Sequence, residues 1–416
     1  LWSFPRKQRE TRLPYPGLIA VLLALGLAAA GARAAEWTLG GGLGARAESI
    51  GNPSFAVPAG PSLLRLALAL ELTLAAKAEA WDAQLSGAAT RYRANDSAFA
   101  SGDGSLALRL ARRFERDSLE ASAEWRRIAP PPGAAPASGA VQTRFRRDEL
   151  SAGAGWQRQL TERLALNAAA RALRSRPEGP QGPGRFETST SSVSGGLAYA
   201  LTPRTGVNAT LSAARSDTDP FATRSSTASA QLGVTHRQAE RLTLSASYGP
   251  SRTRTETAAL AAVCPVPLLF CEAGLVPFAI LPARTERVGS GYAYSAAATW
   301  QAAPNASLSL SASRSATPSG SGFLAETDSY SAALKYQLAE NLSLEADALL
   351  RRADSLAGTG RTRTQRLGGS LAWQLDSRWF LELGAWQTRA GLPGGLEPRS
   401  DAVFVGLRYR PRERRL

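Results

Sequence analysis

The sequence predicts an all-β protein, a transmembrane antiparallel up-and-down β-barrel of about 18 strands, within roughly 16 to 20. Three observations predict it. Side chains alternate apolar and polar in one segment after another between Trp37 and Tyr409. The joints between those segments are alternately short and long, and aromatic residues gather at the segment ends.

The alternation is cleanest from Leu64 to Arg93. Leu64, Leu66, Leu68, Leu70, Leu72 and Leu74 take every second position, with Arg65, Ala67, Ala69, Glu71 and Thr73 between them. A period of two is that of a strand with one apolar and one polar or small face. A turn is expected at Ala76 and Lys77, after which Trp81, Ala83 and Leu85 share one face and Asp82, Gln84, Ser86 and Thr90 the other.

Ahead of the repeats, Arg6, Lys7, Arg9 and Arg12 precede an apolar run from Leu18 to Ala30 and an A-x-A site at Ala32 and Ala34. That run is too short to span a bilayer but suits a secretory signal. Residues 1–34 are therefore expected to be a cleaved signal peptide, 35–410 the barrel and 411–416 a basic tail. Removing the signal lowers the formal charge from +15 to +11. No later segment is apolar for 18 consecutive residues, so no transmembrane helix is expected.

Short joints occur at Thr161-Glu162-Arg163, Thr202 to Thr205, Gln238 to Glu240, Ala303 to Asn305, Ala339 to Asn341 and Asp376 to Arg378. Long ones run Arg127 to Arg146, Ser175 to Phe186, Ser216 to Arg224, Ser251 to Gly289, Arg314 to Glu326 and Gly391 to Ser400. Short periplasmic turns and longer outer loops characterise an outer-membrane barrel. Trp37, Trp81, Trp156, Tyr199, Trp300, Tyr336, Trp373, Trp379 and Tyr409 all fall at short joints or chain ends, and so predict an aromatic girdle at the periplasmic interface. A looser second set, Tyr92, Trp125, Tyr248, Tyr292 and Tyr330, lies beside the long loops.

The same phase places Leu106, Leu108 and Leu110, Leu242 and Leu244, and Val403, Val405 and Leu407 toward lipid. Their alternates, including Arg109, Glu120, Glu124, Arg171, Lys335, Glu345 and Asp347, would face a lumen. In a dry core each unsatisfied polar group would cost ~1–3 kcal/mol, whereas a water-filled interior removes the difficulty. At about 18 strands side chains no longer fill a barrel and an aqueous channel remains.

Cys264 and Cys271 sit in the apolar Ser251 to Gly289 segment and are expected to form a disulfide in an oxidising compartment. That loop could enter the lumen as a constriction, stay outside as a partner surface, or be a braced loop with no specific role. Arginine outnumbers lysine 46 to 3. It gathers where strands meet long loops, at Arg93, Arg126, Arg127, Arg146, Arg174, Arg252 and Arg351, as an outer mouth suited to lipopolysaccharide phosphates or an acidic exported polymer. These arginines are spread over many loops without stacking aromatics, which argues against nucleic-acid binding. His236 is the one histidine; by phase it faces lipid with no nucleophile beside it, so no catalytic, cofactor or metal site is expected.

The signal segment, the phrases Leu160-Thr161-Glu162-Arg163-Leu164, Leu201-Thr202-Pro203-Arg204-Thr205 and Ala339-Glu340-Asn341-Leu342-Ser343-Leu344, and the closing Val405-Gly406-Leu407-Arg408-Tyr409 resemble Gram-negative porin-like barrels, above all those of exopolysaccharide and exosortase (PEP-CTERM) loci. The resemblance implies an outer-membrane protein of envelope biogenesis or surface-polymer export. Its partners would be outer-membrane lipid and lipopolysaccharide, the barrel-assembly machinery and an exported polysaccharide. Two features depart from the pattern. Arg46 to Pro53 stands where that group carries a Tyr-Thr-Asp-Asn-like phrase, and residues 411–416 follow Tyr409, where such barrels commonly end. The function expected is a water-filled channel for a hydrophilic solute or surface polysaccharide. The alternatives are a non-conducting barrel that anchors a polymer or partner, and a soluble exported β protein.

Overall fold

A computed structural model describes residues 35–55, 58–96, 99–128, 146–178, 187–219, 223–263, 279–318, 324–355, 361–391 and 395–415. The signal segment and both cysteines lie outside them.

The strands are β1 (Glu36–Gly51), β2 (Leu63–Lys77), β3 (Trp81–Ala94), β4 (Gly102–Arg113), β5 (Asp117–Ile128), β6 (Arg147–Gln159), β7 (Leu164–Pro177), β8 (Glu187–Thr202) and β9 (Thr205–Asp219), followed by β10 (Thr223–Ala239), β11 (Leu242–Val263), β12 (Ala279–Ala303), β13 (Ala306–Pro318), β14 (Leu324–Ala339), β15 (Leu342–Ser355), β16 (Arg361–Gln374), β17 (Trp379–Gly391) and β18 (Arg399–Tyr409). Each pairs antiparallel with the next, and β1 pairs with β18 from Leu43↔Tyr409 to Gly51↔Asp401, so the sheet closes. Closure leaves no unpaired edge along the wall, the condition for a sheet to cross lipid. Eighteen strands at ~4.8 Å spacing and a tilt of ~40° enclose a cylinder roughly 35 Å across between backbones.

A two-residue strand β19 (Arg414–Arg415) follows β18 and pairs with Leu39 and Thr38 of β1. The segment expected to be a basic tail thus prolongs the seam, where Arg415 Nε lies 3.1 Å from Glu36.

The registers carry one face continuously around the ring. Leu43 opposes Leu70, Leu72 opposes Gly87, Leu85 opposes Leu108, and Leu106 opposes Trp125. Leu64, Leu66, Leu68, Leu70 and Leu72 on this face are among the exposed large hydrophobics. The other face is concave: Ile50, Leu63 and Ala402, with Ala94 and Trp386 beside them, converge from five successive strands on Phe99 of the β3–β4 connection. From Leu64 to Leu74, at ~3.3 Å per residue and ~40° tilt, the apolar band is about 25 Å tall, the thickness of an outer-membrane belt.

Several expected boundaries move. Ala76 and Lys77 are the last residues of β2, and the turn lies at 78–80, where Ala78 N donates to Trp81 O over 2.9 Å. The expected Ser251 to Gly289 loop is largely strand: Ser251↔Gly291 continues through Glu256↔Glu286 to Val263↔Ala279. The apolar alternation stops there, but Thr253, Thr255 and Thr257 still alternate with Arg252, Arg254 and Glu256, and β-branched residues keep the chain extended. This ribbon outruns its neighbours, since β10 pairs with β11 only as far as Glu256 and β13 with β12 only as far as Tyr294. Ser216–Arg224 and Arg314–Glu326 shrink likewise, because β9, β10, β13 and β14 run into them.

One glycine is demanded by close approach. At Gly249 a Cβ would lie 1.8 Å from the Ala230 carbonyl oxygen. There the β10–β11 ladder passes from Ser229↔Ser251 to Leu232↔Tyr248 beside Pro250, which has no N–H to donate.

Candidate functional site

The concave face is built from alternate residues of every strand, and the polar alternates fall on it. Arg109, Glu120, Glu124, Arg171, Lys335, Glu345 and Asp347 all share the phase opposite to the leucine belt. Most are paired across neighbouring strands. Arg109 Nε lies 2.7 Å from Glu120 and Lys335 Nζ 2.9 Å from Glu345, while Arg408 of β18 reaches past β1 to Glu71 of β2 at 3.1 Å. Arg366 reaches Asp347 at 4.0 Å. Arg171 has no carboxylate partner among the described residues.

These charges occupy one part of the wall, β14 through β18 and on through β1 to β7. On the inner face of β8 to β13 the residues are Ser, Thr, Gly, Ala, Asn and Gln, apart from Arg237 at a short turn and Arg287 on the long ribbon among the described side chains. Hydroxyls on this wall bond one another: Ser212 with Ser229 over 2.7 Å, Ser247 with Ser295 over 2.8 Å, and Ser311 with Ser331 of β14 over 2.7 Å. Ser247 also donates to Gln231 Oε1 over 3.0 Å.

A tighter cluster lies near the seam. Arg65 contacts Glu48 at 2.6 Å with both side chains nearly buried, and its guanidinium stacks 4.2 Å from the Tyr92 ring centre. The Tyr92 hydroxyl donates to Asp103 over 2.7 Å. Tyr92, grouped in sequence with the outer aromatics, therefore points inward. The phase set by Thr90 carries the correct signal, because Tyr92 is two residues on. Arg46 stacks 3.4 Å from the Phe404 ring centre in the same sector.

The expected mouth arginines divide between the two faces. Arg126 and Arg351 point into the barrel, Arg126 against Glu124. Arg93, Arg127, Arg174 and Arg252 lie on the outward phase, opposite Leu66, Gly104, Leu150 and Ala228. Arg146 precedes β6 and lies 3.9 Å from Glu178. On the outer surface carboxylates sit between arginines: Glu187 takes Arg174 and Arg176, and Asp217 takes Arg215 and Arg224. The anion-suited mouth is thus mainly an outward collar above the leucine belt, because an even shift in strand phase sends a side chain toward lipid whatever its charge.

At the other rim Trp37, Trp81, Trp156, Tyr199, Trp300, Tyr336, Trp373, Trp379 and Tyr409 all share the outward phase beside the short turns and chain ends. Trp379 packs on Tyr409 with ring centres 4.9 Å apart, and Trp156 Nε1 donates to Asp117 over 3.0 Å. His236, outward at this rim, meets the Thr205 hydroxyl over 2.9 Å, a partner the sequence reading did not identify. Asp376 caps the β16–β17 turn by accepting Arg378 N at 2.6 Å and Trp379 N at 2.9 Å, which holds its carboxyl below the ordinary value.

Near the long-connection rim the inner wall is closely covered. Thr218, Thr223, Ser225, Thr388 and Ser400 are each under 5% exposed, although their side chains point into a wide barrel. Among the described residues no His, Cys, Asp and Glu cluster is arranged to hold a metal ion.

No protein-family model matches the sequence, and no curated protein matches it. Crystal structures similar to the chain include the outer membrane protein OpdK of Pseudomonas aeruginosa, at 13% identity over 90% of this chain and 99% of that one, with a TM-score of 0.45. OccAB4 of Acinetobacter baumannii matches at 12% identity over 91% and 98%, with a TM-score of 0.47. The ferric-catecholate import receptor Fiu of E. coli K12 matches at 10% over 88% and 81%, with a TM-score of 0.44. The strand registers, the closed ring and the outward apolar belt define this chain as a closed 18-stranded antiparallel β-barrel with an apolar outer face and a polar inner one.

Proposed function

We propose that the chain, once its signal segment is cleaved, sits in the bacterial outer membrane as a channel through which a hydrophilic solute or a surface polysaccharide diffuses or is exported. The observation that carries this reading is the polar inner face of a closed barrel too wide for its side chains to fill. A wall of paired charges and hydroxyls is stable against water and would be costly against apolar packing. The outward arginine collar suits phosphates of lipopolysaccharide in the outer leaflet, and the closing strand through Tyr409 suits recognition by the barrel-assembly machinery. A role at an exopolysaccharide or exosortase locus extends the same reading to a surface polymer as cargo.

A second reading is a barrel that does not conduct and instead anchors a polymer or partner. It is favoured by the covered hydroxyls near the long-connection rim, since a lumen-facing Thr218 at 2% exposure has no open water in front of it. Single-channel recording in planar bilayers separates the two. Discrete conductance steps support the channel, and silence from protein shown to be folded and inserted supports the anchoring barrel.

A further inference from the structure

We propose that the uncharged wall from β8 to β13 is a hydroxyl track that takes neutral, polyhydroxylated solutes of the sugar and polyol class, while ions follow the charged wall. This rests on the channel reading above and names its substrate class. Three features of the wall carry it.

The first is the kind of group it offers. Ser212, Ser229, Ser245, Ser247, Ser295, Ser309 and Ser311 project from successive strands below the covered rim, half-buried or exposed. Each hydroxyl both donates and accepts: the bonds at Ser212–Ser229 and Ser311–Ser331 have no fixed donor, while Ser247 gives its proton to Gln231 and accepts from Ser295. A sugar hydroxyl is the same kind of group. It can replace either partner of such a pair and recover the bond it gave up to water, whichever polarity is needed.

The second is the absence of alternatives on that wall. Among the described side chains no carboxylate, lysine or aromatic ring lies on the inner face of β8 to β13, and arginine occurs only at Arg237 and Arg287. Away from those two arginines an ion gains nothing there, and a planar hydrophobic solute has nothing to stack on. Small side chains also keep this third of the wall clear enough for a hydrated ring.

The third is where the charges are. Many of the inward arginines and carboxylates of the opposite wall are neutralised locally, as at Arg109–Glu120 and Lys335–Glu345, with Arg171 an exception. Paired charges of opposite sign produce a field that fades within a few ångströms in water. A neutral solute at the hydroxyl wall is therefore not displaced by ion traffic along the other.

The test uses osmotic swelling of proteoliposomes in glucose, maltose and potassium gluconate, with single-channel conductance in potassium chloride recorded on the same preparations. The quadruple variant S212V/S229V/S247V/S311V removes the hydroxyls, valine is favoured in strands, and threonine at the same four positions matches its volume. Its sugar-driven swelling is expected to fall about fivefold, the effect of roughly one lost hydrogen bond, with potassium chloride conductance nearly unchanged. The matching serine-to-threonine variant keeps every hydroxyl and is expected to swell at close to the native rate. Unchanged sugar swelling in the valine variant, or gluconate entering the native protein as fast as glucose, overturns the track while leaving the channel in place. No conductance from folded, inserted native protein overturns both.

Discussion

Leu70 tests the assignment of faces most sharply. It lies in the middle of the Leu64 to Leu74 band, outward and about half exposed, opposite Leu43 on one side and Ala89 on the other. An arginine placed there would meet hydrocarbon near the bilayer midplane, at a cost of about 2–4 kcal/mol. At ~1.4 kcal/mol per factor of ten, that lowers the folding equilibrium by roughly two orders of magnitude. Its neighbour Ala69 points into the lumen on the same inner face as Glu71, so Ala69→Arg would meet water and a carboxylate and cost well under ~1 kcal/mol. Leu64→Arg, at the rim where the outward arginines begin, is expected to cost about 0–1 kcal/mol. Guanidinium unfolding of protein folded into lipid vesicles, followed by tryptophan fluorescence, measures all three. Equal costs at positions 69 and 70, or a larger cost at 69, would refute both the membrane belt and the phase.

Glu48→Gln should destabilise the barrel by about 3 kcal/mol, because the Arg65 guanidinium 2.6 Å away stays nearly buried without its counter-charge. Replacing Glu48 and Arg65 together with methionine is expected to cost less than this single change in the same unfolding assay. Gly249→Ala forces a methyl into the Ala230 carbonyl and should lower the temperature of the heat-dependent shift in gel mobility, at about 1–3 kcal/mol or more. At Asp376 the carboxyl is held below 3.8 by two backbone N–H groups. A depressed value means that its stabilisation is complete above 3.8 and disappears as pH falls through the lowered value. Asp376→Ala should therefore flatten the acid limb of the stability profile and leave the slope at neutral pH unchanged.

Much of the barrel is legible in the sequence because lipid on one side and water on the other impose a strict period of two. The alternation of Leu64 to Leu74 follows from that, and the strand pairings give Arg109 and Glu345 one phase and the nine aromatics the other. The period fails where both faces are polar. Beyond the belt Thr253 and Arg254 alternate with no apolar signal, so an extended ribbon reads as a loop. The arginines at the strand tops mislead for a related reason. Composition marks them as a basic mouth, but only strand phase tells Arg126, which faces inward, from Arg127, which faces out to Asp148 at 3.0 Å. Tyr92 lies beside a long loop, and its two-residue step from Thr90 places it on the inner face. The cluster it forms with Arg65, Glu48 and Asp103 draws on four consecutive strands, β1 to β4, and their order is legible while the register that brings these side chains to one level is not. The neutral wall is legible only once the strands are ordered around the ring, because it is a property of six consecutive inner faces taken together.

The central claim is that the polar face lines a water-filled path. The reversal potential across a potassium chloride gradient tests it most directly. Arg109→Glu and Lys335→Glu, both on the inner face, should each move the reversal potential toward cation selectivity. Arg93→Glu and Arg252→Glu, on the outward collar, should leave it where it is. Inner and outer substitutions that shift it equally, or inner ones that do not shift it at all, would contradict the account.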